Sequence, residues 1–387
     1  MIVPDRYEFA AGTLIGTEPH SRDLPPSNMD PARALEDALI PALARGTLAV
    51  AFSGGRDSSI VLAAATRAAR REGLPEPIAV TTNYPGDPGA DESRWQELII
   101  RFLGLREWQR STVVGGEHEI IGPVALPVLR KHGVLLPGNA ASWVPMLREM
   151  QGSTLATGAG GDSLFEARRW GPFGDLRSGR SGLGPHEARN TIHAVSPLPI
   201  KKLVARARLR RSFPWLQPAA RTIVTQRLAK QHATEPIRWD RRVAWFRRLR
   251  NELLNNSTLD LLARGEGVTM RHPLFDEGFL SALATRGGRD GMGTRSQVMV
   301  NVFSGWLPEE VLNRSDKGQF GEVFWGPRCR SFVRRWSGAG VDAEMVDPIA
   351  LANVWAQPQP DARTYQLLQA AWLASDHVED QGETLGR

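Results

Sequence analysis

The sequence predicts an α/β fold: a parallel β-sheet with helical crossovers, followed by a large helical C-terminal portion. Three observations carry this. The apolar run Thr47-Leu48-Ala49-Val50-Ala51-Phe52 leads directly into Ser53-Gly54-Gly55, which reads as a buried strand entering a glycine turn. Ser153-Thr154-Leu155-Ala156-Thr157-Gly158 repeats the arrangement about a hundred residues later. Between and around them strand and helix patterns alternate, as a parallel sheet with crossovers requires.

Residues 1–45 read as an N-terminal arm. Pro25-Pro26-Ser27-Asn28 interrupts regular structure, and Asp30 is placed to cap a helix beginning at Pro31. After the first strand, Ser58 to Arg71 carries Ile60, Val61, Leu62, Ala64, Ala65 and Ala68 at helical spacing. Pro77 to Thr82 reads as a second strand, and Asp91 to Leu103 as a second helix with acidic residues in its first turn. Residues 168–185 are rich in Gly and Arg without periodicity and are expected to form a mobile loop. From about 190 to 375 the pattern is mostly helical, with Trp and Leu as core residues. The expected organisation is an arm (1–45), an ATP-binding α/β region (46–190), a helical substrate-shaping region of the same synthetase domain (191–375) and a tail (376–387).

Composition narrows the function. Of 387 residues, 41% are hydrophobic and 23% charged, ordinary for a globular protein with a sizeable core. No apolar run reaches the length of a membrane span, and the N-terminus lacks a basic segment followed by an apolar one, so no secretory signal is expected. Cys329 is the only cysteine. It excludes an internal disulfide and a cysteine zinc cage, and a cytoplasmic location is expected. The formal charge of +6 comes partly from two clusters, Lys201, Lys202, Arg206, Arg208, Arg210 and Arg211, then Arg241, Arg242, Arg247, Arg248 and Arg250. Apolar residues interleave with both at helical spacing, so solvated helix faces are expected rather than a nucleic-acid surface. The eight histidines show no zinc-binding spacing. His118 and His132 are expected at the surface, and His272 to have a structural role among apolar neighbours.

The chemistry concentrates in Ser53-Gly54-Gly55-Arg56-Asp57-Ser58-Ser59, between strand and helix. Glycines let backbone wrap phosphate oxygens, serine hydroxyls donate, and the helix N-terminus points free N–H groups at an anion. The Gly-Lys-Ser/Thr ending of a Walker A loop is absent. Asp57 would repel phosphate unless it holds a divalent cation, so Mg²⁺ is expected. The second loop, Thr157-Gly158-Ala159-Gly160-Gly161-Asp162-Ser163, again ends a strand with glycines and one aspartate. Both loops lie at C-terminal strand ends, where parallel sheets bind ligands. The residues expected to bind ATP are therefore Ser53, Gly54, Gly55, Asp57, Ser58, Ser59, Gly158, Gly160 and Gly161, with Asp57 and Asp162 as metal ligands.

These loops resemble the PP-loop synthetase domain (adenine nucleotide alpha hydrolase-like) of the asparagine synthetase family, which also contains β-lactam synthetases and lasso-peptide cyclases. The resemblance spans roughly residues 46–340. It includes Asp91-Glu92, Arg271-His272-Pro273-Leu274-Phe275-Asp276 and Lys317-Gly318-Gln319-Phe320. It implies that a carboxylate is activated as an acyl-adenylate and passed to an amine, with Lys317 meeting the α-phosphate and the reacting acyl group, and Asp57 and Asp162 as its catalytic companions. Three departures matter. Ile2 stands where glutamine-using members expose a cysteine, and only about 45 residues precede the loop. Ala159 stands where asparagine synthetases carry Glu and β-lactam synthetases a catalytic Tyr. Arg56 replaces the usual apolar residue of the loop and is expected to face solvent.

Within the family, a macrolactam (lasso-peptide) cyclase fits these departures best. The expected substrates are a peptide or small-molecule carboxylate and an amine, a peptide-processing protein is a candidate partner, and neither nucleic acid nor membrane is expected. The alternatives are an amide synthetase acting on a small molecule and a PP-loop tRNA-modifying enzyme. A sulfur-transferring form of the latter would need paired cysteines. A non-catalytic nucleotide-binding subunit would not require Asp57, Asp162 and Lys317 together.

Overall fold

The computed structural model of the chain describes residues 2–19, 23–85, 87–165, 196–314, 318 and 320–384. The loop expected at 168–185 lies outside the described residues. Five strands form one all-parallel sheet: β1 (Leu48–Ala51), β2 (Ile78–Asn83), β3 (Trp108–Thr112), β4 (Thr154–Ala156) and β5 (Thr269–Arg271), in the order β3-β2-β1-β4-β5. The register aligns Ala49 with Ile78 on one side of β1 and with Leu155 on the other.

All four residues of β1 are buried because both faces of the sheet are covered, which makes the strand an uninterrupted apolar run rather than an alternating one. Leu48 and Val50 enter one core, together with the helices Pro31–Arg45, Arg56–Glu72, Ser93–Leu103, Glu277–Gly287 and Arg295–Phe303. Ala49 and Ala51 enter the other, against Leu129 and Leu147 and the later helices that carry Val224, Leu262 and Leu368. The helical C-terminal portion therefore embraces both faces of the sheet. Trp239 and Trp355, on its helices, and Trp215 and Trp325, in the connections between helices, are fully buried in it, the core role expected of them.

The first 45 residues, expected as an arm, contain two packed helices. Arg6–Ala11 begins with a capping box between Asp5 and Glu8, and Trp215 donates its indole N–H to the Ala10 carbonyl at 2.8 Å. Asp30 caps Pro31–Arg45 through the amides of Ala32 and Arg33. Much of the second basic cluster is consumed internally. Buried Arg242 donates to Glu235 and to the Leu164 and Ser163 carbonyls, Arg250 meets Glu8 and Glu18, and Arg247 meets Glu277. No helix among the described residues is long and apolar enough to cross a membrane.

Candidate active site

The strand order reverses direction between β1 and β4: the chain moves from β1 outward through β2 to β3, then returns to place β4 on the other side. Such a switch point opens a crevice at the C-terminal strand ends. The first glycine loop leaves β1 there and the second leaves β4. Although a hundred residues apart, the loops touch. A Cβ on Gly158 would stand 2.6 Å from the Ser58 nitrogen and 2.8 Å from the Asp57 carbonyl carbon, and one on Gly161 would stand 2.3 Å from Asp57 Cγ. Only glycine permits this approach of one backbone to another.

A cavity of about 480 Å³ opens at this junction, lined on one side by Ser53, Gly55, Arg56, Asp57 and Ser58, and on the other by Thr157, Gly158, Ala159 and Asp162. Its volume falls within the roughly 300–1,000 Å³ common for small-molecule sites. Tyr84, Trp143, Met146, Phe320 and Phe324 add aromatic and apolar surface to its lining. Gly55 is the N-cap of Arg56–Glu72 without a side-chain cap, so the first-turn amides of that helix have no intrahelical acceptor, the arrangement that suits a helix N-terminus to an anion. Ser53 and Ser58 share a hydrogen bond between their hydroxyls at 3.1 Å. Gly54, Ser59, Gly160 and Gly161 stand behind the wall. Ser59 is fully buried and its hydroxyl donates to the Gly55 carbonyl at 2.7 Å, so this side chain shapes the loop instead of reaching the cavity. Gly54 adopts φ +85° and Gly160 φ +83°, the left-handed region that favours glycine.

Asp57 and Asp162 converge on one cation. Arg295 Nη2 donates to both oxygens of Asp57 at 2.7 and 2.8 Å, and its Nη1 donates to Asp162 at 2.8 Å. Two carboxylates flanking one cationic position are hard oxygen donors of the kind Mg²⁺ takes, so these residues fit the expected ion. Among the described residues no three His, Cys, Asp or Glu side chains gather into a metal cage. A magnesium ion here would complete its shell with water and substrate oxygens, its usual manner of binding.

Arg56, expected to face solvent, is only partly exposed. It lines the cavity, and its Nη1 donates to Ser296 Oγ at 3.1 Å. Burial and the neighbouring Arg295 push its pKa down, while Asp57 and Asp162 oppose that. His272 has the structural role expected of it, but through polar partners. Its sequence neighbours are apolar, but its ring nitrogens meet Thr157 Oγ1 at 2.9 Å and Asp260 at 3.3 Å. Thr157 Oγ1 in turn accepts from the Ala159 amide at 3.3 Å, so His272 braces the second loop. His118, expected at the surface, is buried beside Tyr84, with its pKa pushed down by burial.

Lys317 lies outside the described residues. Its neighbours Gly318 and Phe320 line the cavity, and Arg314 ties the preceding chain to the first loop. The Arg314 guanidinium pairs with Glu92, with both side chains buried, and donates to the Gly54 carbonyl at 3.3 Å. Sequence reasoning missed Arg295 and Arg314. A capping box of Thr294 and Gln297 fixes the start of the helix that carries Arg295, and this Thr-x-x-Gln pattern was a legible signal for the helix start. Nothing in the sequence says where the arginine points.

A comparison with curated proteins finds no match. The family model described as Asparagine synthase matches residues 32–377, a span that contains the sheet, both glycine loops and the described cavity wall. The chain belongs to the asparagine synthase family, a family of ATP-dependent ligases.

Proposed function

We propose that the enzyme converts a carboxylate and ATP to an acyl-adenylate and pyrophosphate, then passes the acyl group to an amine of a peptide substrate, closing a macrolactam. The observation that carries the reading is the abutment of the two glycine loops at the switch point, with Ala159 on the cavity wall. The first loop and its helix N-terminus bind the phosphates. Asp57 and Asp162 would hold Mg²⁺, which supplies charge neutralisation on the phosphates. Lys317 stabilises charge building on the α-phosphate and acyl oxygens. Ala159 presents a methyl group where ammonia-using members place Glu, which favours an amine delivered by the substrate. The aromatic wall of Tyr84, Trp143 and Phe320 offers apolar surface to a bulky acyl donor. Residues 46–190 form the ATP-binding region and 191–375 shape the substrate site; a peptide-processing protein is the proposed partner, and the cytoplasm the proposed location.

The test is substrate choice. With Mg·ATP, a linear peptide bearing a side-chain carboxylate and a free amino terminus is expected to lose one water and become cyclic, as read by mass spectrometry. Aspartate with free ammonia is expected to give little asparagine. Efficient asparagine synthesis would overturn the macrolactam reading in favour of a small-molecule amide synthetase.

A further inference from the structure

Arg295 is placed at the N-terminus of its helix by a capping box in which Thr294 accepts from the Gln297 amide and Gln297 accepts from the Thr294 amide. Gly293 makes room for that box, because a Cβ there would stand 2.1 Å from Gln297 Oε1. The backbone at Arg295 is thus anchored by the box, and a change of partner there falls to its long side chain. The guanidinium spends both terminal nitrogens on Asp57 and Asp162. Its Nε is buried and has no hydrogen-bond partner among the described residues. A buried N–H without an acceptor is costly; here it stands in the wall of the cavity that receives an anion. Arg56, also in that wall, is the next cation.

Charge sharpens the point. Arg56 and Arg295 stand beside Asp57 and Asp162 in the cavity wall, so the carboxylates offset part of the charge the arginines would offer a triphosphate. A divalent ion taken up by the two carboxylates would leave both arginines uncompensated beside the phosphates. Resting on the nucleotide-binding reading above, we propose that Arg295 is a catalytic phosphate-binding residue held in reserve: its guanidinium competes with Mg²⁺ for Asp57 and Asp162, and on nucleotide binding it gives them up and turns, with Arg56, to the β- and γ-phosphates. The released pyrophosphate stays bound to the same pair. The competition withholds the metal position until phosphate arrives.

The test uses the full chain, magnesium alone and inorganic pyrophosphate, with no turnover required. Thermal melts are measured for wild type, Arg295→Met and Arg295→Lys with and without Mg²⁺. Magnesium alone is expected to leave the wild-type melting temperature nearly unchanged and to raise that of Arg295→Met, in which the two carboxylates have lost the guanidinium that bridges them. Arg295→Lys, whose single ammonium cannot serve both carboxylates as the fork does, is expected to fall between, and guards against a failure of the methionine variant to fold. Pyrophosphate titrated in the presence of Mg²⁺ is expected to bind Arg295→Met roughly tenfold to a hundredfold more weakly than wild type. Equal stabilisation of wild type and Arg295→Met by magnesium would remove the competition. Unchanged pyrophosphate affinity would make Arg295 a structural bridge. Because neither readout involves a carboxylate substrate, failure of the adenylation reading appears separately, as the wrong nucleotide product.

Discussion

The strongest structural wager is the ion pair between Arg314 and Glu92. Their side chains are 3% and 7% exposed, and Arg314 Nη2 donates to Glu92 Oε1 at 2.6 Å. The same guanidinium reaches the Gly54 carbonyl at 3.3 Å and lies 4.7 Å from the centre of the Trp95 ring. Replacing Arg314 with Met preserves much of the apolar stem but strands a buried carboxylate. Breaking a buried pair from one side typically costs about 3–5 kcal/mol. Glu92→Gln combined with Arg314→Met leaves no stranded charge, and the double variant is expected to recover much of the loss. Urea unfolding of the four proteins gives the coupling energy, expected at about 2 kcal/mol or more. ATP affinity should fall in Arg314→Met, because the Gly54 turn loses its tether. A single-variant cost under about 1 kcal/mol with no coupling would show the pair behaving like an exposed one, and the tether from Arg314 to the first loop would be refuted.

Three further outcomes are expected. Lys317→Ala should lower kcat by on the order of 10²–10³ while ATP affinity changes far less, as measured by single-turnover rates beside nucleotide binding; near-normal chemistry would return Lys317 to the role of a surface lysine. Gly158→Ala must push two loop backbones apart, since its Cβ would meet Ser58 and Asp57 backbone atoms at 2.6 and 2.8 Å; a destabilisation of roughly 1–3 kcal/mol and impaired ATP binding are expected, and unimpaired binding would contradict the contact. Glu252→Gln should stabilise the protein at neutral pH. Burial raises the Glu252 carboxyl above its ordinary 4.5, and the 2.6 Å bond from Ser163 only partly opposes this. The native state therefore holds that proton more tightly than the unfolded chain, so the group costs stability progressively as pH climbs from 4.5 through its native value. The variant's advantage should be present at pH 8 and fade near pH 4, and an advantage independent of pH would refute the assignment.

The centre of the fold was legible because buried parallel strands are apolar runs. The helices expected at 58–71 and 91–103 occur as Arg56–Glu72 and Ser93–Leu103. The two edge strands were not legible. β3 reads Trp-Gln-Arg-Ser-Thr and stays partly exposed, and β5 is three residues long and defined by its pairing with β4. At the site, Asp57 and Asp162 stood out because each closes a glycine turn after a strand. Arg56 was noticed only as a departure from the family pattern, and Arg295 and Arg314 did not stand out, since a charged residue has no periodic signature and its partner is chosen by contact across 238 residues for Arg295 and Asp57. The structural role of His272 was legible but its partners were not: its chain neighbours Pro273, Leu274 and Phe275 are apolar, whereas the residues its ring meets, Thr157 and Asp260, come from other elements.

The central claim is that ATP is cleaved between its α- and β-phosphates to activate a carboxylate. Chromatography of the nucleotides after incubation with Mg·ATP and an accepted carboxylate tests it most directly, with hydroxylamine present to trap the activated acyl group. AMP and pyrophosphate in equal amounts, matched by the acyl hydroxamate, are predicted. ADP and inorganic phosphate as the products would contradict the account.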